Sequence, residues 1–423
     1  MNQRPTLLIV SYYFAPSPLV GAKRFSFLTR EFTRQGFDVH IVANELRDSV
    51  HGREDHSLPL HGKVHRVANP LELPLKGGGP WRRLVNAFFR RVLAPVGSDY
   101  FWAGAATRKA LKVARGLPPG VVIATSPPHA ALIAGERIAR TLGWPLILDY
   151  RDPWSAYDWP AWHRGGLSQR LSARIEARLI RHSVARVLNT PSMRQWFERK
   201  FATAAVTRNY VIPNGFDTRP VQAEPAEDGV LRVVHAGEIY GSRSLVPFLR
   251  AMARFSERHP ARPIRLTTYG ALPPAESRAI AEAGLGAFIE ERPRVPFTAL
   301  FPELQRAHVL LALVSEHMTY STPYKVYDYM AAGRPILALA PRQAALRDLL
   351  SESGAGECSE PQDIDGIEQA LERLLLAPAN SAAPRVDRYR WVNLAQQYRA
   401  VIESVATPSP SAEPTSEADR AAY

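Results

Sequence analysis

The sequence predicts an α/β fold in which two doubly wound parallel-sheet domains face a central cleft. Short apolar runs alternate with segments of helical spacing along most of the chain, and this alternation restarts after Asn214-Gly215. The length of 423 residues suits two domains of about 200 residues each. With 46% apolar and 22% charged residues the composition is globular, which excludes a wholly disordered chain.

The first half opens with a strand, a helix and a second strand. The run at 6–11 is apolar, the prolines and glycine of 14–21 predict a loop, and 23–35 carries apolar residues at helical spacing. Gly36 ends that helix before the next strand, so a parallel pair with a right-handed crossover is expected. The same pattern predicts strands over 39–43, 121–125, 146–149, 185–189 and 211–213, and a helix over 130–142.

The second half repeats this alternation. It predicts strands over 231–236, 264–269, 309–314 and 336–339, and helices over 245–258, 274–283 and 324–332. Because parallel doubly wound sheets bind ligands beyond the carboxyl ends of their strands, the cleft between the two domains is the expected site. The segment 407–423 is rich in Pro, Ser, Ala and Glu and is predicted to be disordered.

The net charge of +13 is unevenly distributed. Residues 1–210 hold 31 Lys+Arg and 14 Asp+Glu, a balance of +17, whereas residues 211–423 hold 22 and 26, a balance of −4. An excess of this size predicts an anionic partner for the first half. Nucleic acid is disfavoured because no recognition helix, zinc motif or RNP-like stretch is present. The single cysteine, Cys358, excludes an intrachain disulfide and a Cys-rich zinc site.

A membrane surface is the favoured anionic partner. The segment from Trp81 to Leu93 (WRRLVNAFFRRVL) has an aromatic and apolar stripe edged by arginines, which is typical of an interfacial helix. An ordinary core-facing helix with a basic edge is the alternative. No run approaches the roughly 18 apolar residues of a membrane span, and the start of the chain lacks a signal-peptide pattern. The expected location is cytoplasmic, peripheral on the inner face of the plasma membrane.

The segment from Ser321 to Pro335 (STPYKVYDYMAAGRP) is the richest in chemistry. Thr322 suits the N-cap of a helix that ends at Gly333, and a helix N-terminus suits a phosphate. Lys325 and Asp328 are three residues apart and share a face, where they can take phosphate and ribose hydroxyls respectively. An exposed ion pair is the alternative. Lys325 is also the only lysine after residue 200, against 21 arginines, which indicates a role that arginine does not fill.

This segment, continued to Pro341, resembles the donor-binding motif of family 4 retaining glycosyltransferases of the exopolysaccharide and lipopolysaccharide type, which have the GT-B fold. Other segments resemble that family in the same order, and the resemblance covers nearly the whole chain up to about residue 406. They are SYYFAPSPLVGAKR at 11–24, ATSPPH and DYRDPW at 124–129 and 149–154, VIPNGFD at 211–217, HAGEIYGSR at 235–243, and YRWVNLAQQY at 389–398.

The resemblance implies an acceptor-side domain at 1–210, a nucleotide-sugar domain at 211–385 and a helix at 386–406 that crosses back. It implies transfer of a sugar from a UDP- or GDP-linked donor to a hydroxyl of a glycan or lipid-linked acceptor, with no metal and no further cofactor. Its catalytic residues correspond to Arg243, Lys325 and His129, and its donor-binding residues to Gly21, Gly237, Thr322 and Asp328.

The acceptor side and the sugar contact are less defined. Asp149, Arg151, Asp152 and Arg24 are expected to bind or orient the acceptor, with an ion pair that shapes the turn as the alternative. Where the family has a sugar-contacting Glu, eight residues before Asp328, this chain has Tyr320. A GT-B sugar-nucleotide epimerase and a catalytically inactive assembly partner therefore remain alternative functions. Asp363-Ile364-Asp365 is interpreted as a surface turn and not as a metal motif.

Overall fold

A computed structural model describes residues 5–45, 55–70, 99–155, 166–201, 208–217, 228–376 and 384–406. The predicted interfacial helix from Trp81 to Leu93 and the predicted disordered tail lie outside these residues. In the described part of the chain no helix combines the length and the apolar character needed to cross a bilayer.

The first domain is built on a seven-stranded parallel sheet with strand order β3-β2-β1-β4-β5-β6-β7. Its strands are β1 Thr6–Ser11, β2 Asp38–Asn44, β3 Lys63–Val67, β4 Gly120–Ser126, β5 Leu146–Tyr150, β6 Ala185–Leu188 and β7 Arg208–Val211. Its helices are α1 Val20–Arg34, α2 Tyr100–Ala114, α3 Ala130–Leu142, α4 Gly166–His182 and α5 Pro191–Lys200.

The second domain is built on a six-stranded parallel sheet with strand order β10-β9-β8-β11-β12-β13. Its strands are β8 Leu231–Ala236, β9 Ile264–Tyr269, β10 Ile289–Arg292, β11 Val309–Leu313, β12 Ile336–Leu339 and β13 Gly356–Ser359. Its helices are α6 Val246–Arg258, α7 Pro274–Glu282, α8 Phe297–Arg306, α9 Lys325–Ala332, α10 Ala345–Ser353 and α11 Ile364–Leu376, and α12 Trp391–Ala406 follows. The predicted pair of doubly wound α/β sheets is confirmed.

The central strands are where the sequence pattern was most informative. Every residue of β1 is buried, because helices cover both faces of the sheet, and its Ile9 lies between Ile41 and Ile123 of the neighbouring strands. The prediction missed β3 and β10 because these edge strands, with sequences KVHRV and IEER, lack an apolar run. The strand predicted at 211–213 lies three residues earlier, as β7.

Strand order reverses once in each sheet, and these reversals determine where a ligand can bind. In the first sheet β1 and β4 lie side by side, and in the second sheet β8 and β11 do. The connections that leave such a pair diverge to opposite faces of the sheet and leave a crevice at the carboxyl ends of the strands. Each domain therefore offers one crevice.

The chain passes between the domains twice, and the two connecting segments lie side by side. The backbone N–H of Phe216 donates to the carbonyl of Tyr389 at 3.1 Å, and that of Trp391 donates to the carbonyl of Phe216 at 3.0 Å. Beyond this crossing, α12 packs on α1 of the first domain, where the Phe32 and Tyr398 rings meet with centroids 5.4 Å apart.

Candidate active site

The residues predicted to bind the donor follow the strands where the order reverses. Gly21 comes after β1 and His129 comes after β4, so both lie at the crevice of the first sheet. Gly237 and Arg243 come after β8, and the loop after β11 leads to Lys325. Sequence motifs more than 80 residues apart thus converge on the two crevices because of the topology.

Two glycines form the floor of the crevice in the second domain. Gly237 and Gly270 have φ of +113° and +140°, in the region that side chains disfavour. A Cβ at Gly237 would lie 2.8 Å from Nζ of Lys325, and a Cβ at Gly270 would lie 3.1 Å from the backbone of Gly237. Glycine is therefore required at both positions, and the lysine approaches bare backbone.

The helix that carries Lys325 begins later than predicted. The sequence suggested an N-cap at Thr322, whereas α9 begins at Lys325 with Tyr324 at the cap and no side-chain cap bond. Thr322 precedes a proline, which disfavours helical backbone there, and its hydroxyl hydrogen-bonds the Tyr327 side chain instead. The helix ends as predicted at Gly333, which has φ of +71°.

A buried histidine holds the amine of Lys325. His235, which is 1% exposed, places Nε2 3.4 Å from Nζ of Lys325 and Nδ1 2.9 Å from the carbonyl oxygen of Leu311. Because the carbonyl can only accept, Nδ1 carries the proton and Nε2 accepts from the lysine. Burial and the lysine charge keep the pKa of His235 well below its usual value, so the ring is neutral.

His235 is the first residue of the segment HAGEIYGSR, and no role was predicted for it from the sequence. The available signal was a polar side chain at the carboxyl end of the apolar strand β8, immediately before Ala236 and Gly237.

Among the described residues, no carboxylate pairs with either of the two cations near this floor, Lys325 and Arg243. Desolvation and the nearby charge of Arg243 lower the pKa of Lys325 to about 7. The guanidinium of Arg243 lies 4.0 Å from the centroid of the Tyr240 ring, and its buried Nε finds no hydrogen-bond partner within the described residues. The positive potential of both groups is therefore available to an anion, and a diphosphate matches it.

A pH dependence of nucleotide binding follows from the pKa of Lys325. A diphosphate bound there would favour the charged amine and raise its pKa, so diphosphate affinity would be highest below pH 7 and would fall as pH rises through the free-state pKa of about 7. We expect about a tenfold loss of affinity between pH 7 and 9, with proton uptake on binding, in titration calorimetry. The variant Lys325→Arg should lose this dependence, and a flat wild-type profile would contradict the assignment.

Asp328 is engaged by a lysine from the other domain. Nζ of Lys23 lies 3.3 Å from Oδ2 of Asp328, and it also lies over the Phe297 and Tyr324 rings, 5.0 and 4.5 Å from their centroids. Burial raises the pKa of the Asp328 carboxyl, and Lys23 opposes that shift. Asp328 thus pairs across the cleft with Lys23, a contact not predicted from the sequence, and not with Lys325, the ion pair that was the alternative to a donor-binding role.

Gly21 lies in a tight packing site formed by the first domain. Its carbonyl accepts a 2.6 Å hydrogen bond from Nη1 of Arg151, and an added Cβ would lie 2.8 Å from Cδ2 of Tyr13. The same guanidinium donates to the carbonyls of Ser126, at 3.0 Å, and Pro127. Arg151 therefore ties the start of α1 to the end of β4 and the loop that follows it, and it has a positioning role in this structure.

Arg24 and Asp149 form a buried ion pair. Nη2 of Arg24 lies 2.8 Å from Oδ2 of Asp149, and the two side chains are 1% and 0% exposed. The guanidinium also donates to the carbonyls of Ile212 and Pro213 at 2.9 and 2.7 Å, and the carboxylate accepts from Thr125 at 2.8 Å. This placement supports the alternative of an ion pair that shapes the structure, because neither side chain reaches solvent where an acceptor would bind.

His129 lies against Trp154 at the mouth of the first crevice. The two rings stack with centroids 4.6 Å apart and an interplanar angle of 4°. Burial and the charge of Arg151 lower the pKa of His129 to about 3, so the ring is neutral. Asp152, in the loop after β5 and two residues before Trp154, is half-buried, and burial raises the pKa of its carboxyl.

Tyr320 packs between the domains. Its side chain is 2% exposed, its carbonyl accepts a 2.6 Å hydrogen bond from Thr190, and its ring meets Trp196 with centroids 5.8 Å apart. The residue that replaces the family's glutamate therefore belongs to the contact with the first domain. Glu316 is exposed and borders the loop of Arg243, through a 3.3 Å bond from its N–H to Ser242.

Among the described residues no group of three or more His, Cys, Asp or Glu side chains is arranged to hold a metal ion. Within the predicted Asp363-Ile364-Asp365 turn, Asp363 accepts from the N–H of Gly366 at 2.9 Å at the start of α11.

Solved structures with the same architecture were found by structural comparison. A sucrose-phosphate synthase from Thermosynechococcus elongatus superposes with a TM-score of 0.66 at 16% identity, covering 95% of this chain and 99% of that chain. Anabaena HepE in complex with UDP-glucose gives 0.58 at 13% identity, covering 94% and 99%. The lipopolysaccharide outer core galactosyltransferase WaaB gives 0.60 at 13% identity, covering 94% and 99%. These similarities establish the fold, which is GT-B.

Sequence families match both halves of the chain. Residues 21–215 match the family described as "Glycosyl transferase 4-like domain", and residues 231–377 match "Glycosyl transferases group 1". No curated protein sequence matches the chain. The two family matches and the GT-B architecture together place the chain among the GT-B glycosyltransferases.

Proposed function

We propose that this protein is a retaining glycosyltransferase that moves a sugar from a nucleoside diphosphate to a hydroxyl of a glycan or lipid-linked acceptor in surface-polysaccharide biosynthesis. One observation carries the donor assignment. Arg243 and Lys325 converge above the glycine floor of the second-domain crevice, and Asp328 lies one helical turn from Lys325. Two cations and a nearby carboxylate match the diphosphate and ribose of such a donor.

The proposed chemistry uses these groups in the order in which charge develops. As the bond between sugar and diphosphate breaks, negative charge grows on the leaving phosphate, and preorganised cations stabilise that state more than the ground state. His235 fixes the direction of the Lys325 amine, so little reorganisation is needed. The acceptor hydroxyl attacks from the face that the diphosphate leaves, and a phosphate oxygen takes its proton. This gives retention without a protein nucleophile or a metal.

A donor panel tests the proposed reaction. Purified protein with UDP- and GDP-linked hexoses and a lipid-linked or glycan acceptor extract should release UDP or GDP, and NMR of the product should give the same anomeric configuration as the donor. Inverted product would overturn the retaining mechanism. Formation of an epimer without acceptor would favour the epimerase, and tight nucleotide binding without any turnover would favour an inactive assembly partner. UDP is the first choice because the HepE and trehalose-6-phosphate structures contain UDP-linked ligands.

The acceptor domain offers a second, basic surface. Helices α2 to α5 share one core on one side of the first sheet, whereas α1 and α12 lie on the other side. Those four helices carry 12 Lys+Arg and three acidic residues, two of which, Glu136 and Glu176, are buried. Arg170 and Arg174 are exposed and lie four residues apart along α4, a like-charge spacing that is unfavourable unless an anion compensates it, whereas Arg178 pairs with Glu136 at 3.5 Å. We propose that this layer docks on anionic lipid.

A flotation assay tests the docking surface. The triple variant Arg170→Glu, Arg174→Glu and Arg181→Glu should lose binding to vesicles containing phosphatidylglycerol at low salt, since each basic residue contributes about 1 kcal/mol near such a surface. The matched control reverses three exposed arginines of the second domain, Arg262, Arg265 and Arg278, and should float like the wild type. Wild-type protein that stays unbound, or equal loss in both triple variants, would contradict the proposal. Binding to RNA in place of vesicles would reassign the surface.

A further inference from the structure

We propose that Lys23 is a donor-binding residue supplied by the first domain. In the free protein its ammonium group rests on Asp328, and when the donor ribose takes that carboxylate the ammonium moves to the diphosphate. The proposal rests on the proposed function and adds a third cation to the donor site, one that the sequence motifs did not single out.

Lys23 is part of the first domain, but its side chain contacts residues of the second domain. It lies in the first turn of α1, yet within the described part of the chain its side chain contacts three residues of the second domain, Asp328, Phe297 and Tyr324. Its side chain is 20% exposed and that of Asp328 is 18% exposed, so the pair is largely shielded inside the cleft. A ligand that binds Asp328 would therefore lie next to the Lys23 side chain.

The backbone around Lys23 is fixed, so only its side chain is free to change partner. Two residues before Lys23, the carbonyl of Gly21 accepts a hydrogen bond from Arg151 at 2.6 Å. The residue after Lys23, Arg24, forms the buried ion pair with Asp149 at 2.8 Å. The lysine stem is long, and its ammonium is a point charge that can change partner by rotation. The anchored turn thus presents a mobile cation to the cleft.

The destination of the ammonium follows from the geometry of α9. Asp328 and Lys325 are one turn apart, with Cβ atoms about 5–6 Å from each other in such a pair. A ribose held by Asp328 and a diphosphate held by Lys325 and Arg243 therefore lie next to the same ammonium. When ribose hydroxyls replace the Lys23 ammonium at the Asp328 carboxylate, the neighbouring diphosphate offers that ammonium a greater negative charge.

This change of partner predicts opposite effects of one substitution on two ligands. A nucleoside needs Asp328 but brings no phosphate, so it only competes with Lys23. A nucleoside diphosphate both displaces Lys23 and binds it. Removal of the charge in Lys23→Met should therefore strengthen nucleoside binding and weaken nucleoside diphosphate binding. A lysine with only a structural role would change both affinities in the same direction.

The experiment is titration calorimetry of the full chain with UDP, and with uridine by displacement, together with GDP and guanosine. For the nucleotide that binds the wild type more tightly, Lys23→Met should weaken the diphosphate about tenfold, the effect of one charge-assisted hydrogen bond, and should strengthen the nucleoside about two- to threefold. Lys23→Arg should keep diphosphate affinity within about threefold, because it keeps the charge. Lys63→Met, which removes an exposed lysine paired with Asp38, is the control and should match the wild type.

The outcomes separate this inference from the proposed function. Wild-type binding of neither UDP nor GDP would overturn both. Wild-type binding with unchanged affinities in Lys23→Met, or with both ligands weakened alike, would overturn the role of Lys23 alone. Strengthening of both ligands would make Lys23 a simple competitor for Asp328 and would also overturn it. A melting temperature within a few degrees of the wild type identifies folded variants, and Lys23→Arg supplies the comparison if the methionine variant is unstable.

Discussion

Replacement of Lys325 by alanine is expected to lower kcat by about 10²–10³-fold, the effect of removing one preorganised group that stabilises developing negative charge. The side chain approaches the bare backbone of Gly237 and is held by His235, so its direction is fixed before the donor arrives. The same loss is expected for Arg243→Ala. Steady-state transfer kinetics with saturating donor would measure both.

Three controls define what this loss means. Arg278→Ala removes an exposed arginine of the same domain and should leave kcat unchanged. Lys325→Arg keeps the charge but does not fit the short contact with Gly237, so it should recover only part of the activity. His235→Leu should lower kcat less than Lys325→Ala. A Lys325→Ala enzyme within about threefold of wild-type activity would remove Lys325 from the catalytic site.

Replacement of Asp149 by asparagine is expected to cost about 3–5 kcal/mol of unfolding free energy, because it leaves the charge of Arg24 buried without its counterion. Both side chains are essentially inaccessible, and the guanidinium also holds the carbonyls of Ile212 and Pro213 in the segment that leads to the second domain. Equilibrium denaturation followed by circular dichroism would measure the change.

Two further variants compare the buried Arg24–Asp149 ion pair with an exposed ion pair. Arg24→Met combined with Asp149→Asn removes both charges. The double variant should lose less unfolding free energy than the sum of the losses in the two single variants. Lys63→Met breaks an exposed ion pair with Asp38 and should cost no more than about 1 kcal/mol. An Asp149→Asn protein as stable as this control would show that the buried pair is not structural.

The sequence was a good guide to the fold where local pattern decides. Buried strands such as β1, β4, β8 and β11 are apolar runs flanked by turn residues, and their alternation with helical segments implies parallel doubly wound sheets. Edge strands such as β3 and β10 escaped because their stability comes from a neighbouring strand and not from an apolar run. The N-cap of α9 was misplaced by two residues, at Thr322 instead of Tyr324, because Thr322 bonds a tyrosine instead of the helix.

The site could be predicted only where it is local in sequence. Lys325 and Asp328 share a helix and Gly237 follows a strand, so the roles proposed for them could be inferred from short patterns. Lys23 meets Asp328 across 305 positions, and Arg24 meets Asp149 across 125, so these pairings depend on how the folded domains are placed. The expectation that Arg24 and Asp149 face an acceptor came from their neighbourhood in the chain, which does not reveal burial.

We propose that Arg243 and Lys325 hold a donor diphosphate above Gly237, and a crystal structure of the protein with UDP would show whether they do. We expect diphosphate oxygens at hydrogen-bonding distance, about 3 Å, from Nζ of Lys325 and from the guanidinium of Arg243, with the ribose hydroxyls on Asp328. UDP bound with its phosphates away from both cations would rule out this role for the two residues.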